Sequence, residues 1–562
     1  MTLRKDSVLE GFNDPSDDAK TPTGFLHLPS ELRIMIYDFF IDHLLKTSRD
    51  FQGSQYTMRQ NQCALLYVSR QVRAECAKLR LECTYKQRVW TFINEQVGTD
   101  EFQPANKGVE RTAIILQHRS FSRTALEIQV VDQFWKTFLP RDDPNTIYIG
   151  AIVKAPWKRA VRAICLQDRW VAIALQACAF MSLGRLQRNR HYVQYGRQLY
   201  GRALRETNNA IRDPARAQSD GTLASCKLLG MYESFRLEED GRPSTQGNDW
   251  QQHVEGICKI VELRGPEMAA TDYGHDLYID ARFGATSSGI TQKRPSNFFT
   301  SSSWTTLPWL RHSKTLRDEL LDVMTALPGI LHQQEALYAA IPNAIDRATM
   351  GKVIKDGVDV LKQCIGLGTR LRAWEQKTIH LARKARGEPQ DDTLTLPAIN
   401  KHHGFAFFHL VTQFWTACLI LHGPTWLTYW KLLHVGQSTT SPASKDLSQI
   451  QIPPWMNPQP FASNIAHQAS HFFSDEAGLW GLSTASFPMG AALHYYAATG
   501  GFKTPEMRML KAALGGSAKA GMVSGFLRSM AASATKEGDG GDPQFPVEHE
   551  RMATRWFDST SR

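Results

Sequence analysis

Residues 250–266 read WQQHVEGICKIVELRGP, and this stretch shows the pattern that governs most of the chain. Its apolar side chains recur three or four residues apart, at Trp250, Val254, Ile257, Cys258 and Val261. That spacing places them on one face of an α-helix. Gly265 and Pro266 predict the end of the helix, because glycine favours a C-terminal cap and proline cannot continue the helix. We expect the apolar face, Trp250 included, to be mostly buried.

The same spacing recurs from about residue 120 to 532, whereas the period-two alternation of β-strands is rare. Helices are predicted near residues 124–139, 168–186, 190–212, 219–237, 249–264, 271–282, 314–327, 348–385, 403–421, 461–475, 486–498, 505–514 and 519–532. Leu327 is assigned to the helix 314–327, with Pro328 and Gly329 ending it. The best strand candidate is Val89–Ile93. The sequence therefore predicts an all-α fold, with one large multi-helix domain preceded by a smaller, mainly helical module.

The composition is that of a globular protein. Of 562 residues, 42% are hydrophobic and 21% are charged, and the net charge is +10. These values exclude a collagen-like chain, a disulfide mini-protein and a mostly disordered chain. The mild basic excess permits an anionic partner without requiring one. Two uncharged stretches, Gly404–Trp430 and Ala477–Phe502, are interrupted by histidines, glycines and prolines, so we interpret both as buried core helices and expect no membrane span.

Motifs that would carry catalysis are missing from the sequence. Gly366-Leu367-Gly368 has Leu371 where a dinucleotide fingerprint needs its third glycine. No G-x-S-x-G nucleophile motif occurs. His467, His471 and Asp475 could share a helix face and bind zinc, but two histidines on a partly buried helix are the favoured interpretation. We therefore expect that the protein is not an enzyme, and the sequence indicates no catalytic, cofactor-binding or metal-binding residue.

Basic residues form two loose groups, for which two interpretations stay open. The groups contain Lys154, Lys158, Arg159, Arg185, Arg188, Arg190, Arg197 and Arg202. One interpretation is contact with nucleic acid or nuclear import. The other, which we favour, is the solvated face of amphipathic helices.

Five landmarks, in order along the chain, resemble the fungal-specific transcription factor domain, a helical regulatory region. They are Asp168–Ala179, His191–Ile211, W-x-x-H-x-x-G at Trp250, His253 and Gly256, W-x-x-x-P-W at Trp304–Trp309, and Gly478–Gly481 with Ser486–Gly490. Together they cover roughly residues 125–530. The resemblance implies transcriptional regulation in the nucleus, and pairing through the helical domain with another transcription factor or a second copy. A local gene set, such as a secondary-metabolite cluster, is implied only by the habits of the family.

The zinc binuclear cluster that usually precedes this domain is missing from the sequence. Nine cysteines occur, at positions 63, 76, 83, 165, 178, 226, 258, 364 and 418. Cys76 and Cys83 match the spacing of one arm of the cluster, but the cluster needs six thiolates, and the chain has no C-x-x-C pair. An odd number within apolar helical patterns favours buried thiols. We expect no structural zinc or other cofactor, and only weak or indirect DNA contact.

The N-terminal part resembles a fungal F-box-like module. Its marks are LPSELRIMIY at Leu28–Tyr37 and LLYVSRQVRAE at Leu65–Glu75. The expected organisation is a disordered segment (1–24), the F-box-like module (25–115), the helical regulatory domain (120–532) and a flexible tail (533–562). The alternative function is an interaction adaptor, in which Leu28–Tyr37 docks the scaffold protein of a ubiquitin ligase and the helical domain holds a client.

Overall fold

The structure, a computed structural model, describes residues 109–141, 146, 155–236, 245–295, 297–387, 396, 403–437 and 442–537. Contacts divide the chain into two units, Met1–Ser120 and Phe121–Arg562, and the second is described below. The described residues contain helices and no β-strand, so the predicted all-α fold is confirmed. The strand candidate Val89–Ile93, the two F-box-like marks and the pair Cys76 and Cys83 lie outside the described residues.

The first half of the domain follows the predicted segmentation in its middle helices, whereas its first helix begins at Val109 instead of near 124 and its last ends at Gln292 instead of near 282. Its helices are α1 (Val109–Phe138), α2 (Trp157–Ile164), α3 (Arg169–Leu186), α4 (Arg190–Arg212), α5 (Asp220–Phe235), α6 (Gln246–Met268) and α7 (Asp272–Gln292). Side-chain caps explain why two starts were predictable. Asn189 Oδ1 accepts a hydrogen bond from the Tyr192 amide at 3.2 Å, and Ser219 Oγ accepts one from the Thr222 amide at 3.2 Å.

The second half contains the two longest helices, several shorter ones, and short 3-10 turns between them. Its helices are α8 (Leu316–Met324), α9 (Leu327–Ala340), α10 (Arg347–Arg386), α11 (Gly404–Gln437), α12 (Pro442–Gln449), α13 (Gln459–Gln468), α14 (Gly478–Ala498), α15 (Pro505–Gly515) and α16 (Ala518–Glu537). Of these, α9 and α12 were not predicted, nor was α2 in the first half. The long helix α10 is capped by Asp346 at its start and by Gly387, with φ of 65°, at its end.

The predicted boundary at Pro328 and Gly329 is wrong in one respect. Helix α8 ends earlier, at Met324, and Leu327 begins the next helix instead of closing this one. Pro328 then lies in the first turn of α9, where a missing amide donor costs nothing because that amide has no partner within the helix.

The core is built around two helices that are apolar on nearly every side. Twelve of the residues of α3 are buried, so it is enclosed by its neighbours instead of resting on them by one face. Helix α11 is the one described helix long and apolar enough to cross a membrane, but 89% of its most apolar window is buried inside the protein. The interpretation of Gly404–Trp430 as a core helix is therefore confirmed, and Ala477–Phe502 forms α14 against it.

The predicted burial of the α6 face is confirmed, with Trp250 and Cys258 less enclosed than the other three residues. Val254, Ile257 and Val261 are at most 7% exposed. Trp250 is less enclosed than these three, although most of its surface is buried as expected. Its ring meets Phe526 of α16 edge to face at 5.7 Å and lines a cavity, because the helices around this end of α6 do not close over it. The predicted buried thiols are present at Cys178, Cys226, Cys364 and Cys418.

We expect acid to destabilise the domain through histidines that are buried in the neutral form. Burial lowers the pKa of His422 from about 6.5 to about 3. Between these values the unfolded chain binds more protons than the folded one, so the free energy of unfolding falls as the pH falls below 6.5. Replacing His422 by leucine should therefore reduce the loss of stability between pH 7 and pH 5 by about 1–2 kcal/mol.

Denaturant unfolding at the two pH values measures this effect. His434, exposed on the same helix, supplies the control variant His434→Leu, which should keep the pH dependence of the unmodified protein. A His422→Leu variant with that same pH dependence would show that this histidine is not held neutral by the fold.

Candidate functional site

A cavity of about 1070 Å³ lies between helices of the first and second halves of the domain. Helices α5, α6, α7, α9, α11, α14 and α16 form most of its walls. Three further helices each contribute one side chain: Phe138 of α1, Trp157 of α2 and Arg317 of α8. The volume is that of a site for a small organic molecule. It is the candidate functional site of this domain.

Apolar and aromatic side chains make up most of the cavity wall. Phe283 of α7 and Phe487 of α14 meet edge to face at 5.6 Å, and His409 of α11 meets Trp480 of α14 at 5.2 Å. Trp250 and Phe526 close one side. These rings come from helices far apart in the sequence, so no local pattern could place them together.

The one cation in this wall without an ion pair is Arg317, as far as the described residues extend. Its guanidinium carbon lies 6.0 Å from the ring centre of Phe283, and it makes no hydrogen bond or ion pair with any described residue. Burial lowers the pKa of Arg317 below its ordinary value, and the charges of Asp280 and Asp318 offset this only in part. An unpaired positive charge therefore faces a largely apolar space.

The acidic groups around Arg317 interact with other residues. Asp280 binds the ammonium group of Lys227 at 2.6 Å. Asp318 accepts hydrogen bonds from the Thr315 amide and hydroxyl at 2.9 and 2.6 Å, as the acid of a capping box. The other charged pair in the wall, Lys293 and Glu335, is mutually neutralised. Asp280 is held by a cation and Asp318 Oδ2 by the Thr315 cap, whereas Asp318 Oδ1 makes no hydrogen bond with a described residue. Neither carboxylate forms an ion pair with Arg317.

His409 of α11 lies 6.5 Å from the Phe283 ring, on which Arg317 also packs, and Gln413 lines the cavity one turn further along the same helix. His409 is 5% exposed, and both burial and the nearby Arg317 charge lower its pKa to about 3, so its ring is neutral. Gln413 Nε2 lies 3.1 Å from His409 Nε2. We call Arg317, His409 and Gln413 the polar corner of the cavity. The corner can supply one positive charge and neutral hydrogen-bonding groups.

The W-x-x-H-x-x-G landmark has two separate roles in the structure. Trp250 lies at the cavity, whereas His253 points away from it and forms a hydrogen bond between its Nε2 and Tyr200 Oη of α4, at 3.1 Å. Burial lowers the pKa of His253 to about 4, so the ring stays neutral. Beside it, burial raises the pKa of Glu233 to about 7, although Arg236 lies 2.9 Å from this carboxylate. This cluster ties α4, α5 and α6 together.

The W-x-x-x-P-W landmark fixes α7 against α8. Tyr278 donates a hydrogen bond to the Trp304 carbonyl at 2.8 Å, and Trp309 lies under the guanidinium of Arg282 at 5.5 Å. Arg282 is completely buried and ion-paired with Asp322 of α8 at 2.5 Å. Lys314 binds the other oxygen of Asp322 at 2.6 Å. The landmark is thus structural, and it holds the helix start that carries Arg317.

In the landmark Gly478–Gly481, the first glycine is required by the backbone. Its φ is 63°, and a Cβ atom there would lie 2.7–2.9 Å from the carbonyl oxygens of Thr137, Phe138 and Leu139. Only glycine meets both demands. The C-terminal end of α1 is in this way joined directly to the start of α14, one of the cavity walls.

The remaining candidates from the sequence are not brought together into sites. His467 Nδ1 forms a hydrogen bond with the Ser463 carbonyl oxygen at 2.7 Å. The His471 ring packs on Phe408 at 4.6 Å, and Asp475 binds Lys519 at 2.8 Å. In the described ranges no three His, Cys, Asp or Glu side chains are grouped to hold a metal ion. Gly366 and Gly368 lie in the middle of α10.

The two groups of basic residues predicted from the sequence lie on different helices. Arg159 of α2 binds Asp276 of α7 at 2.7 Å, and Lys158 lies 5.6 Å from the Trp135 ring. Arg188 and Arg190 are exposed at the turn between α3 and α4. Lys154 lies outside the described residues. The Arg159 ion pair agrees with a structural use for part of the basic excess.

Residues 143–301 match the family model of the fungal specific transcription factor domain. This segment contains the first three landmarks and confirms the predicted resemblance over these residues. An uncharacterized protein of Emericella nidulans is 32% identical over 106 residues, which are 19% of this chain and 21% of the relative. The chain thus matches about a fifth of that relative's length. No solved structure matches the chain.

Proposed function

We propose that this chain regulates transcription in the nucleus, with the helical domain as its regulatory part. The observation that carries the proposal is the match of residues 143–301 to the fungal specific transcription factor domain. Within it, α3 to α6 supply the landmark helices, and the Tyr200–His253 contact explains why the histidine of W-x-x-H-x-x-G stands where it does.

The finer part of the proposal is that these 562 residues do not themselves read DNA sequence. Sequence readout needs an element in a groove whose side chains reach base edges. The nine cysteines do not have the spacing of a zinc binuclear cluster. Targeting would then come from a partner, a related factor that keeps its cluster and pairs through the helical domain. Its gene set would be local, such as a secondary-metabolite cluster.

We expect the purified protein to bind promoter fragments and scrambled fragments equally weakly. Exposed arginines such as Arg188 and Arg190 can contact phosphates, and such contacts give non-specific dissociation constants on the order of 10⁻⁴–10⁻⁶ M at physiological salt. The measurement is fluorescence anisotropy with both kinds of fragment at two salt concentrations. Sequence-dependent binding in the nanomolar range with no partner present would contradict the partner-dependent mechanism.

Deletion of the gene followed by transcript profiling tests the regulatory role itself. Altered expression of a defined gene set, together with chromatin association of the tagged protein, is expected. A stable complex with a ubiquitin-ligase scaffold, without chromatin association, would instead favour the adaptor function. The Leu28–Tyr37 segment that this alternative depends on lies outside the described residues.

A further inference from the structure

The cavity combines two features that together define a class of ligand. Its walls are mostly apolar and aromatic, and its volume of about 1070 Å³ is large enough for an extended organic molecule. Its polar corner holds one guanidinium that lacks an ion-pair partner among the described residues. A site of this kind suits a molecule with a long apolar body and a single charged end.

The charge of that end follows from the surroundings of Arg317. A cation in an apolar setting is unfavourable unless a counter-charge accompanies it. The nearest carboxylates, Asp280 and Asp318, are engaged by Lys227 and by the Thr315 cap. Asp318 keeps its negative charge, because the Thr315 amide and hydroxyl are neutral donors, but it makes no ion pair or hydrogen bond with Arg317. The guanidinium donors therefore stay available to an anion that enters the cavity. One guanidinium balances a monoanion, whereas a phosphate dianion would bring a second, unbalanced charge into the same apolar space.

The geometry of the Arg317 guanidinium and the Phe283 ring favours a carboxylate among the possible monoanions. A guanidinium presents its donors in a planar fork that matches the two oxygens of a carboxylate. Phe283 lies against Arg317 on one side, 6.0 Å from it, and packs on Phe487 at 5.6 Å. An apolar chain that extends from the carboxylate would run along this aromatic wall.

We propose that the cavity binds an amphipathic organic carboxylate, with the acid group paired to Arg317 and the apolar body against Phe283, Phe487 and Trp480. His409 and Gln413 bound the polar corner as neutral groups. The proposal concerns binding alone. It is tested on the purified protein without any transcriptional readout, so its failure and the failure of the regulatory proposal are distinguishable.

The test compares three ligands of one chain length, dodecanoate, dodecan-1-ol and dodecylamine, by titration calorimetry below their aggregation concentrations. We expect dodecanoate to bind about tenfold or more tightly than the alcohol, which is the worth of a charge-assisted hydrogen bond. The amine should bind more weakly than either, because it brings a second cation to Arg317. Dodecanoate should also raise the thermal unfolding midpoint, since it binds the folded state.

Three variants locate the acid group. Arg317→Met should remove the preference for the acid while leaving dodecan-1-ol binding in place. Arg317→Lys keeps the charge and should retain a reduced preference. Arg311→Met changes an exposed arginine six residues earlier and should keep the full preference. Because Arg317 makes no ion pair with described residues, Arg317→Met is not expected to lower the unfolding midpoint of the free protein.

The proposal is overturned if the unmodified protein binds none of the three ligands, or binds acid and alcohol equally. It is also overturned if Arg317→Met keeps the preference for the acid. Should Arg317→Met fail to fold, the decision rests on Arg317→Lys and on the difference between acid and alcohol in the unmodified protein. A preference that Arg311→Met reduces as much as Arg317→Lys does would place the acid group at the surface instead.

Discussion

Replacing Asp322 by asparagine is expected to lower the free energy of unfolding of the helical domain by about 3 kcal/mol. Arg282 is completely buried, and Asp322 is the carboxylate that balances its charge, at 2.5 Å. Removing one member of a buried ion pair costs about 3–5 kcal/mol, because the other charge stays buried without compensation. We take the lower end because the Asp322 side chain is 19% exposed. Denaturant unfolding of both proteins measures the difference.

Two further variants separate the loss of charge balance from other effects. Asp475 forms an ion pair of similar length with Lys519, at 2.8 Å, but its side chain is 97% exposed. Asp475→Asn should therefore leave stability nearly unchanged. Adding Arg282→Met to Asp322→Asn removes the unbalanced cation and should recover much of the loss. If the double variant is no more stable than Asp322→Asn, the buried charge is not the cause.

A second large loss, about 3–5 kcal/mol, is expected for Phe414→Ala in the centre of α11. Phe414 is 1% exposed and stacks on Trp374 of α10 at 5.1 Å, with Phe461 of α13 against it at 6.0 Å. Trp374 is itself held by a hydrogen bond from its Nε1 to the Leu316 carbonyl at 2.8 Å. This clamp leaves the neighbours little freedom to move into the space that the ring vacates.

Trp250→Ala is the matched comparison for Phe414→Ala. It removes a larger ring, but this ring is only partly buried and lines the cavity. Its loss of stability should therefore be clearly smaller, although the sequence alone predicts a core position for Trp250. Thermal or denaturant unfolding decides, and a Trp250→Ala loss equal to that of Phe414→Ala would mean that the cavity is closed around this ring in solution.

Most helix boundaries could be predicted from the sequence, and the miss at α9 has a clear physical cause. Caps such as Asn189, Ser219 and Asp346 act within one helical turn, so their effect can be recognised from neighbouring residues alone. The helix Leu327–Ala340 was missed because Pro328 and Gly329 suggest an end. A proline is equally suited to a first turn, and the choice between the two depends on whether a helix follows.

The candidate site was much less accessible to sequence reasoning than the fold. No residue was assigned to it, and Arg317 gave no signal, because an arginine in the first turn of a helix is usually a solvated surface residue. In the sequence, His409 and Gln413 are simply polar residues within the apolar stretch Gly404–Trp430. A polar pair four residues apart inside such a stretch is the one sequence signal that could have indicated a buried polar corner.

The sequence by itself determined that this chain forms helices, where most of them begin and end, and which face of α6 is buried from Val254 onward. These features depend on side chains within one or two turns of each other. Only the tertiary structure decided that Arg317 faces an apolar cavity, that Asp322 balances Arg282, and that Trp250 stands at an opening. The energy of a charge or a ring depends on what surrounds it, and those surroundings come from distant parts of the chain, as with Trp250 and Phe526, which are 276 residues apart.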